Sequence, residues 1–212
     1  MQKQVNRSHY EFSSYVQKSR WMSIWHQLDE VLQLKPDQVL EVGPGPGFFK
    51  AIAMSIGIKI VTLDLDPELD PDYVVSVFNM PFEDGSFDVV CAFQMLEHLP
   101  FEESVEAFNE MTRVARKAVI ISLPDARKLW PVSFYVPKFG NLCFFVPKPQ
   151  FLLPKHVFDG EHYWEINKRG FPLKKIVELF AIPGWELQKT FRVHENPYHR
   201  LFIFLPSKSK FS

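Results

Sequence analysis

The stretch Val39-Leu-Glu-Val-Gly-Pro-Gly-Pro-Gly-Phe-Phe49 limits what this chain can fold into more than any other. An apolar run turns at once into three glycines, Gly43, Gly45 and Gly47, separated by prolines. Val39, Leu40 and Val42 are β-formers without a helical period, as a parallel strand covered on both faces requires. The glycines admit backbone angles closed to other residues and let a ligand approach the main chain. Pro44 and Pro46 stiffen the turn and remove donors, leaving the glycine and Phe48 amides. Phe48, Phe49, Ala51, Ile52 and Ile56 then recur at helical spacing, with Gly57 as the stop. Strand, glycine turn and helix together present free backbone N–H groups to an anionic or polar ligand.

The same alternation runs through the chain. Residues 20–34 form an amphipathic helix with Trp21, Ile24, Trp25, Leu28, Val31 and Leu32 on one face. Strands are expected at 59–63, 73–75, 87–93 and 118–123, with a helix at 102–115 between the last two. Leu173, Ile176, Val177 and Phe180 make another helix, and 185–193 and 201–205 a closing antiparallel pair. The expected fold is α/β: a doubly wound, mostly parallel seven-stranded sheet, with an antiparallel last strand and an insertion after strand five. Residues 1–19 read as an arm and 20–212 as one domain.

Composition excludes several classes. The formal net charge is −1, so nothing global points to nucleic acid. Cys91 and Cys143 give neither a disulfide framework nor a metal spacing, and no metal is expected. The polar start lacks a signal-peptide core, and no apolar run is long enough to span a membrane. The reading is a soluble, cytoplasmic protein.

After the second strand comes Thr62-Leu-Asp-Leu-Asp66, and a carboxylate at that strand end can accept both hydroxyls of a ribose. The third glycine of the dinucleotide pattern is replaced by Phe48; the spacing is Glu41-x-Gly-x-Gly-x-Gly47 instead. That pattern resembles the first motif of class I S-adenosylmethionine-dependent methyltransferases of the type 11 kind. The resemblance continues in the segment from Asn79 to Val90, in Gln94-Met-Leu-Glu-His-Leu99 and in Arg113-Val-Ala-Arg116. It implies S-adenosylmethionine as cofactor and a small-molecule acceptor. Gly43, Pro44, Gly45 and Gly47 would face its methionine part, and Glu41 would hold its amino group. Asp64 would bind the ribose and Leu65 the adenine face, with Asn79 and Met80 at the adenine edge and Gln94 at the methionine end. Ser76 stands where many members carry an adenine-binding aspartate. A non-catalytic module of the same fold that senses the cofactor or binds a partner, and protein or RNA methylation, are the alternatives.

Residues 126–158 stand apart. They hold Trp130, Phe134, Tyr135, Phe139, Phe144, Phe145 and Phe151, five prolines, and only positive full charges: Arg127, Lys128, Lys138, Lys148 and Lys155. Placed after strand five, such a segment reads as a cap over the acceptor, suited to an apolar or aromatic substrate with an anionic group. It could also rest on a membrane surface. For proton removal, His98 is the first candidate and His162 the second. His156, Asp159, His162 and Glu165 have no familiar metal spacing and read as a turn, as does Asn196-Pro-Tyr198.

Overall fold

The computed structural model describes residues 17–150, 152–158 and 160–207. The expected arm up to residue 16, together with Phe151 and Asp159, lies outside the described residues. In chain order the elements are α1 (Lys18–Gln33), β1 (Gln38–Val42), α2 (Phe48–Ser55), β2 (Lys59–Asp64), β3 (Tyr73–Val74), β4 (Phe87–Phe93), α3 (Phe101–Val114), β5 (Ala115–Pro124), β6 (Leu129–Val136), β7 (Gly140–Pro147), α4 (Leu173–Leu179), β8 (Trp185–Arg192) and β9 (His199–Pro206).

Seven strands form one sheet in the order β3-β2-β1-β4-β5-β9-β8. β1 to β5 are parallel, and β9 runs antiparallel to both β5 and β8. The expected fold is therefore present, including its antiparallel last strand. Successive residues of the central strands enter opposite cores, because side chains alternate across a strand. Leu40, Val90, Ile121 and Phe202 pack with Phe108, Met111 and Phe180 on one side. Val39, Val89, Ile120 and Leu201 pack with Ile24, Leu28 and Phe49 on the other. Each such side chain contributes about 1.5–3 kcal/mol on burial. The continuous apolar runs in β1, β4 and β5 are thus the signature of a sheet covered twice.

The helix over 20–34 is present but rotated from its expected face. Trp25 is 56% exposed and Leu32 37%, while Ser23, Gln27 and Glu30 are buried beside Ile24, Leu28 and Val31. Local hydrogen bonding explains this. Glu30 pairs with Lys189 Nζ at 2.5 Å, and Ser23 Oγ accepts from Asn196 Nδ2 at 3.0 Å. Polar groups with partners are cheap to bury.

The insertion after β5 is more regular than its proline content implies. β6 and β7 pair in register from Leu129↔Pro147 to Val136↔Gly140 as a separate two-stranded sheet. Its tip is tight, with Lys138 at φ 72° and Gly140 at φ 82°. Pro131 and Pro137 mask the alternation in the sequence, although a hairpin with two open edges tolerates proline. The hairpin's root is fixed at Asp125. That buried carboxylate accepts from Arg200 Nε (2.8 Å), Asn167 Nδ2 (2.8 Å) and the Arg127 N–H (3.1 Å).

The opposite end of the sheet has its own buried anchor. Asp88 accepts the Asp37 N–H at 2.7 Å and pairs with Arg116 and with Lys117 (3.2 Å). Burial alone would raise its carboxyl, but these partners outweigh it and hold the pKa at about 2, below the ordinary 3.8. Because the folded value lies below the unfolded one, the stabilisation is complete above about pH 4 and is lost as pH falls through about 2. We expect Asp88→Asn to lower stability at pH 7 by about 1–3 kcal/mol. In urea titrations its deficit relative to the wild type should shrink between pH 4 and pH 2; an unchanged deficit at pH 2 would show that the charge is not responsible.

Candidate functional site

The turn after β1 is held by features only glycine supplies. Gly43 has φ +70°, and its N–H donates to Leu63 O at 2.9 Å. A Cβ there would lie 2.6 Å from Met95 Cγ, so the backbone of β1 passes directly against the chain leaving β4. Gly47, at φ +75°, is the N-cap of α2, and its N–H donates to Pro44 O at 3.0 Å. Across the turn, Gln94 is a non-glycine residue at φ +54°. Bonds from its N–H to Ser122 O (3.0 Å) and from Nε2 to Ser122 Oγ (3.2 Å) fix it there. Strained backbone of this kind is retained where the surroundings enforce it, commonly at ligand sites.

Beside this turn lies a cavity of about 260 Å³. Its floor is Glu41, Gly43, Pro44, Gly45 and Pro46, and Phe48, Phe49 and Phe93 make an aromatic side. Arg20, Ser23, Ile24 and Gln27 of α1 form one wall; His98, Glu161, His162, Tyr198 and His199 form the other, with Gln94 between.

Its titratable groups are unusual. Glu41 is 3% exposed and its Oε2 has no hydrogen-bond partner among the described residues. Burial pushes its pKa up to about 8, against a weaker opposing pull from Lys50. Just behind the wall, Glu97 is fully buried, and neither of its carboxylate oxygens has a partner among the described residues. Burial raises it also to about 8, only partly offset by His162. His98 Nδ1 faces Glu161 O at 3.0 Å, and a carbonyl can only accept, so Nδ1 carries the proton and Nε2 is the basic nitrogen. His162 Nδ1 is likewise 3.3 Å from Glu165 Oε1. The two rings meet edge-on at 5.0 Å, and Glu97, His98 and His162 offer three ligand atoms within 4.8 Å of one another. On the same wall, burial pushes His199 down to about 3, so its imidazole is neutral at physiological pH.

Most of the expected site residues converge here: Glu41, Gly43, Pro44, Gly45, Gln94, His98 and His162 all line the cavity. The nucleoside-side candidates do not. Asp64 is half-buried at the end of β2, where it accepts the Asp66 N–H at 2.9 Å; burial raises its carboxyl. Leu65 is 40% exposed beside it. Asn79 is exposed, whereas the Met80 side chain is in the core, so only its main chain can meet a ligand. That main chain is clamped: Met80 N–H donates to Glu110 Oε1 (2.9 Å), and Arg113 Nη2 donates to Met80 O (3.2 Å). Ser76 Oγ is engaged by the Phe78 N–H at 3.3 Å.

The sequence reading missed Arg20, Ser23, Gln27, Glu161, Tyr198 and His199. The first three were visible as polar residues at helical spacing interrupting an apolar stripe; the others are gathered only by the fold. The cap expected from 126–158 also changes. Among the described residues, β6 and β7 contribute nothing to the cavity wall. The hairpin pairs with itself, and Phe145 packs on His194 at 5.3 Å instead. The end of the insertion supports the wall indirectly: His156 Nε2 donates to His162 O at 2.9 Å. Asn196-Pro-Tyr198 is a turn, as expected, closed by a His199 N–H to Asn196 O bond of 2.9 Å.

Residues 40–123 match the family model of the methyltransferase domain. An uncharacterized methyltransferase of Mycobacterium sp. strain KMS is 38% identical over 88 residues, covering 37% of this chain and 34% of that protein. The matched chain therefore spans about a third of the length of these curated relatives. Among solved structures, 1,6-didemethyltoxoflavin-N1-methyltransferase of Burkholderia thailandensis, with bound 1,6-didemethyltoxoflavin and S-adenosylhomocysteine, aligns with TM-score 0.59 and 13% identity over 95% of this chain and 87% of that one. Magnesium protoporphyrin IX methyltransferase of Synechocystis, with bound S-adenosylhomocysteine, aligns with TM-score 0.58 and 15% identity over 98% and 90%. The fold is shared with both, and the resemblance read from Glu41 to Gly47 is borne out.

Gly43→Ala adds a Cβ in a strained φ region against Met95, and we expect a loss of about 1–3 kcal/mol. Urea unfolding of the variant checks it; unchanged stability would mean that the β1 and β4 ends separate at no cost.

Proposed function

We propose that this chain, whose residues 40–123 belong to the methyltransferase domain family, is an S-adenosylmethionine-dependent methyltransferase acting on a small molecule. One observation carries the reading: a buried carboxyl, Glu41, faces a cavity floored by the glycine turn and has one oxygen without a partner among the described residues. A buried orphan acceptor awaits a donor, and the cofactor's ammonium group is one. The floor Gly43–Pro44–Gly45 receives the methionine part, with Gln94 at its end. Asp64 takes the ribose hydroxyls and Leu65 covers the adenine, whose edge meets Asn79 and the Met80 main chain.

The bound cofactor supplies an electrophilic sulfonium methyl group. An acceptor's lone pair would displace that methyl group in line, and sulfur would keep the electron pair of the broken C–S bond. The chain's contribution is alignment and proton removal. Phe48, Phe49, Phe93 and Ile24 favour a flat, apolar acceptor, and Arg20 on the α1 wall favours an anionic substituent on it. This is the acceptor class expected from the sequence, supported by different residues. His98 Nε2 receives the acceptor proton, Glu161 O orients its ring, and His162 stands beside it as a second base. Glu97, neutral at pH 7 through burial, can ionise when the imidazolium forms beside it.

Two outcomes test this. Glu41 at about 8 is largely protonated at pH 7 and must ionise against an ammonium group. Binding of S-adenosylhomocysteine at pH 7 should therefore release close to one proton, measured by calorimetry in buffers of different ionisation enthalpy. Glu41→Gln should abolish the release; release undiminished in that variant would remove Glu41 from the site.

For catalysis, the wild type should transfer labelled methyl groups to a component of fractionated metabolites. His98→Gln should lower turnover by about 10²-fold or more, with S-adenosylhomocysteine affinity near that of the wild type. If the variant keeps more than about a tenth of the activity from pH 6 to 9, His98 is not the base. Activity lost on chelation and restored by a divalent cation would reassign Glu97, His98 and His162 from moving a proton to holding a metal ion.

A further inference from the structure

The hairpin β6–β7 presents a free face made wholly of apolar side chains. Directly opposed residues of an antiparallel pair share one side of the sheet. The register therefore sets Trp130 with Val146, Val132 with Phe144, Phe134 with Leu142, and Val136 beside Gly140 on one side. Trp130 is 48% exposed, Phe134 49%, Phe144 46% and Leu142 44%. Phe134 and Phe144 meet edge-on at 6.1 Å but gain no other ring partner among the described residues. The contact with the body falls on the opposite side, through Phe145 against His194. At the tip Phe139 is 81% exposed. An isolated two-stranded hairpin with one apolar face uncovered is marginal in water, so this face calls for an occupant.

Charge identifies the occupant. Residues 126–158 carry Arg127, Lys128, Lys138, Lys148 and Lys155 but no acidic residue, in a chain with 25 of them. In the chain Arg127, Lys128 and Lys148 flank the root of the hairpin and Lys138 lies at its tip. Lys148 Nζ sits 5.5 Å from the Trp130 ring centroid, an ammonium beside an indole at the boundary of the patch. Tryptophan and lysine in that arrangement suit the boundary between lipid chains and headgroups, where lysine stems lie in apolar surroundings and their charges reach the phosphates. A second copy of this chain suits it less. A two-fold contact would set this lysine-bordered face against itself, placing like charges together. No helix among the described residues is long and apolar enough to cross a membrane.

We propose that β6–β7 seats its Trp130–Phe134–Phe144 face on an anionic lipid surface, with the bordering lysines on the phosphates. Insertion of the ring edges and electrostatic attraction act together, and the attraction weakens with salt. The hairpin lies outside the cavity wall, so this attachment does not depend on the identity of the acceptor.

The test is co-sedimentation of the whole chain with vesicles of phosphatidylcholine alone and of phosphatidylcholine with phosphatidylglycerol. Wild type should bind the anionic vesicles and bind the zwitterionic ones at least about tenfold more weakly. Phe134→Ser with Phe144→Ser, and separately Lys138→Glu with Lys148→Glu, should each reduce anionic-vesicle binding about tenfold or more. Phe134, Phe144 and Lys138 are exposed and Lys148 is half-buried, and an unchanged thermal midpoint confirms that the fold survives. Failure to sediment with either vesicle, or equal binding by both variants and the wild type, overturns the proposal. So does light scattering that shows a wild-type dimer dissolved by the phenylalanine variant without any lipid binding; that result would make a second copy the occupant.

Discussion

The close approach of two strand ends governs this molecule. β1 and β4 are neighbours in the sheet, and both must turn at its carboxyl edge in the same small space. The chain solves this by removing a side chain: at Gly43 a Cβ would come within 2.6 Å of Met95. The geometry of the whole site depends on that contact. It leaves Glu41 facing the cavity from below and lets α2 begin at Gly47. It also places Gln94 and then His98 on the neighbouring strand's exit, opposite the floor. A bulkier residue would separate the strand ends and widen the cavity between them.

The buried charges fall into two groups. Asp88 and Asp125 have their oxygens occupied by arginine, lysine, asparagine or backbone donors. They tie the sheet's two ends to neighbouring segments, the start of β1 and the root of the hairpin. Arg113 works similarly on the outside, bonding Glu110 and Asp84 while holding the carbonyls of Met80 and Phe82. That clamp gives a physical meaning to the Arg-Val-Ala-Arg sequence at the junction of α3 and β5: its first arginine fixes the 80–84 loop, and its second fixes Asp88. Glu41 and Glu97 are also buried, yet among the described residues one oxygen of Glu41 and both of Glu97 have no hydrogen-bond partner. A polar group without a partner costs about 1–3 kcal/mol, so a chain retains one only where something else requires it. Partnered carboxylates thus mark the scaffold, and orphaned ones mark the site.

How much a sequence reveals depends on the range of the forces involved. The doubly covered sheet was legible because the pattern is local: Val39, Val89 and Ile120 enter one core and Leu40, Val90 and Ile121 the other, and the polar residues of these strands fall towards their ends. The glycine turn was legible because its geometry is dictated by residues adjacent in sequence. The face of α1 was not. Trp25 looks like core, yet Ser23, Gln27 and Glu30 are the residues buried there, and Ser23 and Glu30 find partners on Asn196 and Lys189, far along the chain. The hairpin was hidden for a similar reason. Proline suggests irregularity, but the pairing of Trp130 with Val146 is settled only when both strands are present. Glu161, Tyr198 and His199 reach the cavity through tertiary contacts that no spacing announces.

The unpartnered carboxylates also connect the site to the stability of the whole molecule. Burial raises both Glu41 and Glu97 to about 8, so each is neutral in the folded state at pH 7 but ionised in the unfolded chain. A carboxyl whose folded pKa is raised adds nothing unfavourable at low pH, and its penalty grows as pH rises from about 4.5 towards 8. Folding at neutral pH therefore proceeds against these two groups, which the two hydrophobic cores and the Asp88 and Asp125 anchors offset. A ligand that brings a cation or hydrogen-bond donors to the cavity removes part of that penalty. Its binding and the chain's stability are then linked through the same atoms, in proportion to its occupancy. The carboxyls that oppose folding at neutral pH thus lie at and behind the cavity, where they have a chemical reason to be.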